Sequence, residues 1–179
     1  MPTVITHAVI AGAGGALFKK KREPLKFWIV AFVCSVIADA DVIGFRLGII
    51  YNSFWGHRGF FHSLFFALLL ALICALLFFR EHKLFSRTWW NYMFFYIILG
   101  ASHCITDALT NGGYGIALLS PFDTTRYFFP VTPIEVAPVS IRKFFGHAGI
   151  RAIGSEIMCI WFPIFIFGFW PRIAKRKQS

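Results

Sequence analysis

Residues 57–79 read HRGFFHSLFFALLLALICALLFF, a polar cluster of His57, Arg58 and His62 set directly against Leu64–Phe79, a run without one charged or amide side chain. The run exceeds an ordinary strand yet falls short of the roughly 20 residues that a perpendicular membrane crossing needs. It therefore reads as a short helix lying largely in lipid. Four more stretches are predominantly apolar: Val4–Phe18, Leu25–Ala38, Trp89–Leu109 and Ile157–Trp170. Together they predict an all-α, multi-pass membrane helical bundle, one integral domain over residues 1–179 with about five short transmembrane helices. Extension into flanking residues or local thinning of the bilayer supplies the missing length, and the shortest runs are also compatible with re-entrant segments. Gly12, Gly14 and Gly15 in the first run let a neighbouring helix approach closely.

The composition points the same way. The chain is 58% hydrophobic and only 15% charged, with a mean hydropathy of +0.67, against about 25% charged residues in an average soluble domain. Its net charge of +10 is spread between the apolar runs and forms neither a single helical stripe nor an RNA-binding signature. No nucleic-acid partner is expected. Cys34, Cys74, Cys104 and Cys159 all fall within apolar stretches without a C-x-x-C spacing, so they read as small buried filler. Lys19, Lys20, Lys21 and Arg22 follow the first apolar run, the reverse of a cleavable signal peptide, which predicts a retained N-terminus.

If each run crosses once, the connections alternate sides. Residues 19–26, 80–88 and 171–179 then share one side and hold twelve of the eighteen Lys and Arg residues. The excess of positive charge makes that side cytoplasmic, with the N-terminus outside and the C-terminus inside. On this topology Asp39, Asp41, Asp107, Asp123, Glu135 and Glu156 gather on or near the outer side, as do His7, His57, His62 and His103. Residues far apart in sequence are thereby brought together. The long outer connection from Thr110 to Ser155 is interrupted by Pro121, Pro130, Pro133 and Pro138, and its stretch Ile141–Ile153 has the pattern of an interfacial helix that could cover the site.

Ionisable residues at membrane depth are costly and usually face a cavity or a partner. His103 and Asp107, four apart, share one helical face. Asp39 and Asp41, two apart, point at one site only if the chain is extended there, and they sit unfavourably at the negative end of a helix dipole. In His57-Arg58-Gly59-Phe60-Phe61-His62-Ser63, the imidazoles suit Zn or Mn, Arg58 offers an anion-binding fork and Ser63 can cap the next helix. Thr6 at this stage is a local cap. His82 lies on the opposite side, and His147 reads as a membrane-surface residue. The candidate metal ligands are His7, Asp39, Asp41, His62, His103 and Asp107, with His57 as a seventh, more than one four-coordinate ion requires and suited to a two-metal centre of divalent ions such as Zn or Mn. Each element of this set has a plainer reading: a His–Asp bond that ties the bundle together, a solvated loop, or basic side chains reaching the interface.

The motifs Thr6-His7, Asp39-Ala40-Asp41, His57-Arg58-Gly59-Phe60-Phe61-His62-Ser63 and His103-x-x-x-Asp107, in that order, resemble the bacterial inner-membrane metal-dependent hydrolases of the YdjM type, also described as LexA-binding. The resemblance continues through Ser120-Pro121-Phe122-Asp123, Arg126-Tyr127-Phe128-Phe129-Pro130 and Pro133-Ile134-Glu135-Val136. It implies a multi-pass inner-membrane protein with a hydrolase label, the His and Asp positions as metal ligands, and a link to the LexA-regulated damage response. Two functions stay open. One is a hydrolase acting at the outer face on a phosphorylated or lipid-linked substrate, with Arg58 and Arg126 holding the anion and Asp41 or Asp107 as base. The other is a non-catalytic membrane protein with a structural or transport-related ion site, although no inverted repeat is evident. The absence of His-Glu-x-x-His and Gly-x-Ser-x-Gly removes zincin and α/β-hydrolase chemistry.

Overall fold

In a computed structural model, residues 1–18 and 23–170 are described; Lys19–Arg22 and the tail 171–179, on which the charge count draws, lie outside the described residues. The order is α1 (Val4–Phe18), α2 (Leu25–Val36), a 3-10 segment (Ile37–Leu47), a short 3-10 turn (Phe60–His62), α3 (Leu64–Phe78), α4 (Arg87–Ala108), α5 (Ile141–Phe144) and α6 (His147–Glu156). Helix α6 runs on through π-type turns to Phe169. The fold is helical throughout, with isolated bridges but no strand among the described residues.

The helix starts follow from local chemistry. Ser63 Oγ accepts from the Phe66 amide and Ser86 Oγ from the Trp89 amide, so α3 and α4 begin on capped turns. Thr3 Oγ1 accepts from the Thr6 amide and caps α1, a role the sequence reading gave to Thr6.

Helix α3 packs against α4, and α1 against α2, with α2 and α4 meeting at the centre. Phe27, Val30, Cys34, Tyr92, Phe95 and Tyr96 form the core there. The buried face of α3 is small, made of Ala67, Ala71, Cys74 and Ala75, while Leu68, Leu69, Ile73, Leu76 and Leu77 face outward. A soluble helix buries its leucines. An outward leucine face over an alanine seam is the arrangement expected where the solvent is hydrocarbon and helices associate through close backbone approach.

Among the described residues, two continuous helices are long and apolar enough to cross a membrane: Leu25–Leu47, which joins α2 to the 3-10 segment, and His147–Phe169. Helices α1 and α3 are apolar but 15 residues each. The 22 residues of α4 have the length, but the helix ends in the polar run that carries His103 and Asp107. The structure thus supports a membrane-embedded helical bundle without fixing five crossings.

The segment Ile141–Ile153 is not one interfacial helix. Its first turn is α5; at Gly146 the chain breaks, and His147 onward is the beginning of the long last helix. The break allows α5 to fold back, bringing the Phe144 carbonyl against Gly149, where a Cβ would stand 1.7 Å from that oxygen.

The α3–α4 seam makes the packing testable. A Cβ at Gly100 would lie 2.7 Å from the Ala67 Cβ. Gly100→Leu should therefore lower stability in detergent by about 1–3 kcal/mol, the usual cost of overpacking. Gly100→Leu combined with Ala67→Gly should recover part of the loss in thermal unfolding.

Candidate metal centre

Four segments deliver the polar residues: α1 brings His7, the 3-10 segment brings Asp39 and Asp41, the loop before α3 brings His57, Arg58 and His62, and the last turns of α4 bring His103 and Asp107. All eight are buried. Asp39, His62, His103 and Asp107 each offer one ligand atom within a group no more than 4.8 Å across. His62 Nε2 lies 3.4 Å from Asp39 Oδ1 and 3.5 Å from Asp107 Oδ2, and His103 Nε2 lies 3.5 Å from Asp39 Oδ1. His7 stands at the edge, with Nε2 3.7 Å from Asp107 Oδ1 and its ring stacked on His103.

These separations are too long for good hydrogen bonds. They match the edges of a polyhedron: donors about 2.0–2.2 Å from a common ion, at tetrahedral angles, stand about 3.3–3.6 Å apart. His7 Nε2, His62 Nε2, His103 Nε2 and both oxygens of Asp39 and of Asp107 are buried and have no hydrogen-bond partner. Orphaned carboxylate oxygens and imidazole nitrogens aimed at one point cost several kcal/mol unless a cation satisfies them. The residues present therefore fit a metal ion.

The 3-10 segment corrects one expectation. Asp39 and Asp41 do not sit on extended chain; they project from different faces of a tight helix and take opposite edges of a single imidazole. Asp39 faces His62 Nε2, while Asp41 Oδ2 is 3.1 Å from His62 Nδ1. Asp41 also bonds His57 Nδ1 through Oδ1 at 2.6 Å and accepts from the Arg58 amide at 3.1 Å. Its Oδ1 thus holds His57 and its Oδ2 the Arg58 amide, while its charge faces a His62 Nδ1 that makes no hydrogen bond. His103 is oriented by a hydrogen bond, its Nδ1 donating to the Ser35 carbonyl at 2.8 Å, which leaves Nε2 as the free lone pair.

Burial works against a charged His62, but the carboxylates of Asp107, Asp39 and Asp41 outweigh it and raise the pKa of this imidazole well above its ordinary value. The protein thus places its densest negative charge around His62. With the imidazoles neutral, as metal ligation requires, Asp39, Asp41 and Asp107 against Arg58 leave two net negative charges for a cation to offset.

Arg58 occupies a left-handed backbone position, φ 62°, and is 1% exposed. Its Nη1 donates to the Gly112 carbonyl, its Nη2 to Thr110 Oγ1, and its Nε lies 3.4 Å from Asp107 Oδ2. The fork expected to grip an anion is filled by protein acceptors and backs Asp107. Arg126 stands further out, donating to the carbonyls of His57 and Tyr51 and so fastening the loop that carries the site. His147 and His82 are not part of the centre.

The sequence reading assigned no role to Glu156. It is fully buried and accepts from the Thr3 amide at 2.7 Å and from the hydroxyls of Thr3 and Thr6, while Trp161 Nε1 donates to Thr6 Oγ1. This polar knot clamps α1 to α6 one turn before His7. Its only visible signal was an acid at the head of an apolar run.

The fold and the site together define a membrane-embedded helical protein with a buried His/Asp centre suited to a metal ion. The family model for YdjM inner membrane proteins matches residues 1–177, and the chain belongs to that family. It is 34% identical over 169 residues to the inner membrane protein YbcI of Escherichia coli (strain K12), covering 91% of this chain and 92% of that protein. No solved structure is a significant match.

Glu156→Gln presents an amide N–H₂ to groups that are themselves donors. Loss of even one hydrogen bond to a buried charge costs about 1.5–3 kcal/mol. The expected outcome is a lower thermal midpoint with the metal stoichiometry retained, measured on the same purified sample.

Proposed function

We propose that the chain is a metal-dependent hydrolase of the bacterial inner membrane, with its His/Asp centre at the outer face and a phosphorylated or lipid-linked substrate. The observation that carries this reading is the convergence of partnerless buried ligand atoms from four segments, with one edge less closed than the rest. The Asp39 side chain is 6% exposed, against 1% or less for His7, His62, His103 and Asp107. A catalytic ion keeps a position open; of the ligand set the Asp39 side chain lies nearest the surface, with both of its oxygens turned inward.

Asp39, His62, His103 and Asp107 would hold the ion, with His7 completing the set. When bound, a divalent ion supplies Lewis acidity, lowers the pKa of water and stabilises charge developing on a phosphoryl or acyl oxygen. The chain's own residues set the geometry. Asp41 and Ser35 fix which nitrogen His62 and His103 present, and Arg58 keeps Asp107 aimed inward while balancing part of the negative charge. Hydrolysis breaks one ester bond: water delivers its hydroxyl to phosphorus or to the acyl carbon, and its proton ends on the leaving oxygen. Burial of the centre keeps bulk water from this path.

The topology in this proposal has five crossings, the N-terminus outside and the C-terminus in the cytoplasm. A fluorescent protein fused after Ser179 should then fluoresce, and a cysteine at exposed Leu119 should react with an impermeant thiol reagent in intact cells. A dark fusion together with a protected Leu119 position would invert the orientation.

The near-complete closure of His62, His103 and Asp107 favours a competing reading, a structural ion site. Purified protein should contain about one divalent ion per chain, lost in His62→Ala and Asp107→Ala. Asp41→Asn should weaken metal binding by roughly 10–100-fold, as loss of an orienting partner does. Absence of metal after supplementation would overturn the metallohydrolase reading. Metal without turnover of any phosphoester or acyl ester, and without exchange of water at the ion, would leave the structural one standing.

A further inference from the structure

The segment Ile37–Leu47 does more than carry two acids. In a 3-10 helix residues three apart eclipse one another, so the segment has three faces. Ile37, Ala40 and Ile43 share one, Asp41, Gly44 and Leu47 a second, and Asp39 and Val42 the third.

The first two faces form a wall of a cavity of about 470 Å³, closed on the other side by Ile49, Trp55, Phe61 and Phe66. Asp41 is the one charged residue in that lining. The third face, through Val42, borders a second cavity of about 360 Å³, enclosed by the start of α1, by Ala137–Val139 and by Phe144 and Phe145. No charged side chain lines this one. Both volumes lie in the range of ligand sites, about 300–1,000 Å³. They are concave, so they differ from the convex leucine face of α3 over which bilayer lipid can slide. The ridge between them carries Asp39, the least closed member of the metal set.

Charge complementarity indicates what sits astride the ridge. Exposed Arg46 is the immediate neighbour of Leu47 in the first cavity, and exposed Arg142 and Lys143 immediately precede Phe144 in the second. Two apolar cavities, each with cationic residues beside a lining position, flank the segment whose Asp39 is the least buried side chain of a centre suited to a cation. A single-chain amphiphile would fill only one cavity.

Resting on the hydrolase reading, we propose that the substrate class is a two-chain anionic phospholipid, seated with one acyl chain in each cavity and its phosphate headgroup over Asp39. The 3-10 ridge divides the chains and presents the ester linkages to the centre. Apolar burial sets the preference, since each buried methylene contributes roughly a fourfold change in affinity.

The test uses the full chain in detergent micelles, with bound lipid read by native mass spectrometry and metal read on the same sample. The probes are dioleoyl phosphatidylglycerol, its single-chain lyso form and a polyprenyl phosphate. The diacyl lipid should bind one per chain and at least tenfold more tightly than either single-chain probe. Ala40→Trp fills the first cavity and Ala137→Trp the second; each should weaken diacyl binding at least tenfold with metal content unchanged. Equal binding of diacyl and lyso forms, preference for the polyprenyl probe, or wild-type binding in both variants would overturn the proposal. If a tryptophan variant fails to fold, Ile43→Ala and Val139→Ala take its place and should weaken diacyl binding two- to tenfold, no change overturning the proposal. Diacyl selectivity in a chain that holds no metal would overturn the hydrolase reading and, with it, the substrate role, while metal without diacyl selectivity would remove the lipid assignment alone.

Discussion

Three carboxylates and one guanidinium buried together at one centre, in a protein whose outer face meets hydrocarbon, are the constraint around which the rest is arranged. The oxygens of Asp39 and Asp107 have no hydrogen-bond partner, and the imidazoles nearest them offer lone pairs or share their protons with other acids. Lipid cannot relieve that charge and the fold admits little water to it. Arg58 offsets one negative charge at the cost of a left-handed backbone position, and two remain for a cation to balance. The packing around the centre follows the same need. Thr3, Thr6 and Glu156 lock α1 beside it, Arg126 holds the loop that delivers His57, Arg58 and His62, and Ser35 gives up its carbonyl to His103.

The change from α-helix to 3-10 geometry after Val36 is what makes the centre possible. A continued α-helix would place Asp39 and Asp41 about 160° apart around the axis, on nearly opposite faces. With three residues per turn they lie about 120° apart instead, which is enough to embrace His62 from both ring nitrogens. The same winding keeps Ile37, Ala40 and Ile43 in line, so an apolar wall and an acidic edge are produced by one short segment.

Much of this was legible in the residues. The limits of α1 and α3 nearly coincide with the predominantly apolar runs, and the charge asymmetry alone gathered histidines and aspartates that the fold also brings together. What escaped was set by tertiary structure. Nothing in Asp39-Ala40-Asp41 distinguishes a 3-10 turn from extended chain, because the choice is made by which ring nitrogen each acid must reach. Glu156 resembled a helix-end acid, since its partners Thr3 and Thr6 lie at the opposite end of the sequence. Arg58 looked like an anion hook because a fork is visible in sequence, whereas Thr110 and Gly112, which fill it, are not. The pattern of Ile141–Ile153 suggested one surface helix, but Gly146 divides it between a turn and the head of the last helix.

The alanine seam of α3 connects the membrane setting to the chemistry. Small residues at Ala67, Ala71 and Ala75 draw α3 and α4 together, with Gly100 against Ala67 at the narrowest point. His103 lies one turn beyond Gly100 on α4, and His62 lies just before the Ser63 cap of α3, so a tight helix contact sits next to the path between two ligands. Their rings are 4.9 Å apart between centroids, a separation that a bulkier seam would widen. A lipid-facing helix ordinarily has freedom to slide or rotate against its neighbour, because hydrocarbon rewards neither position. Here close packing removes that freedom immediately beneath the centre. The substitution of small residues along α3 thus acts as positioning for the His/Asp set as well as adhesion for the bundle, and the two roles cannot be separated at Ala67.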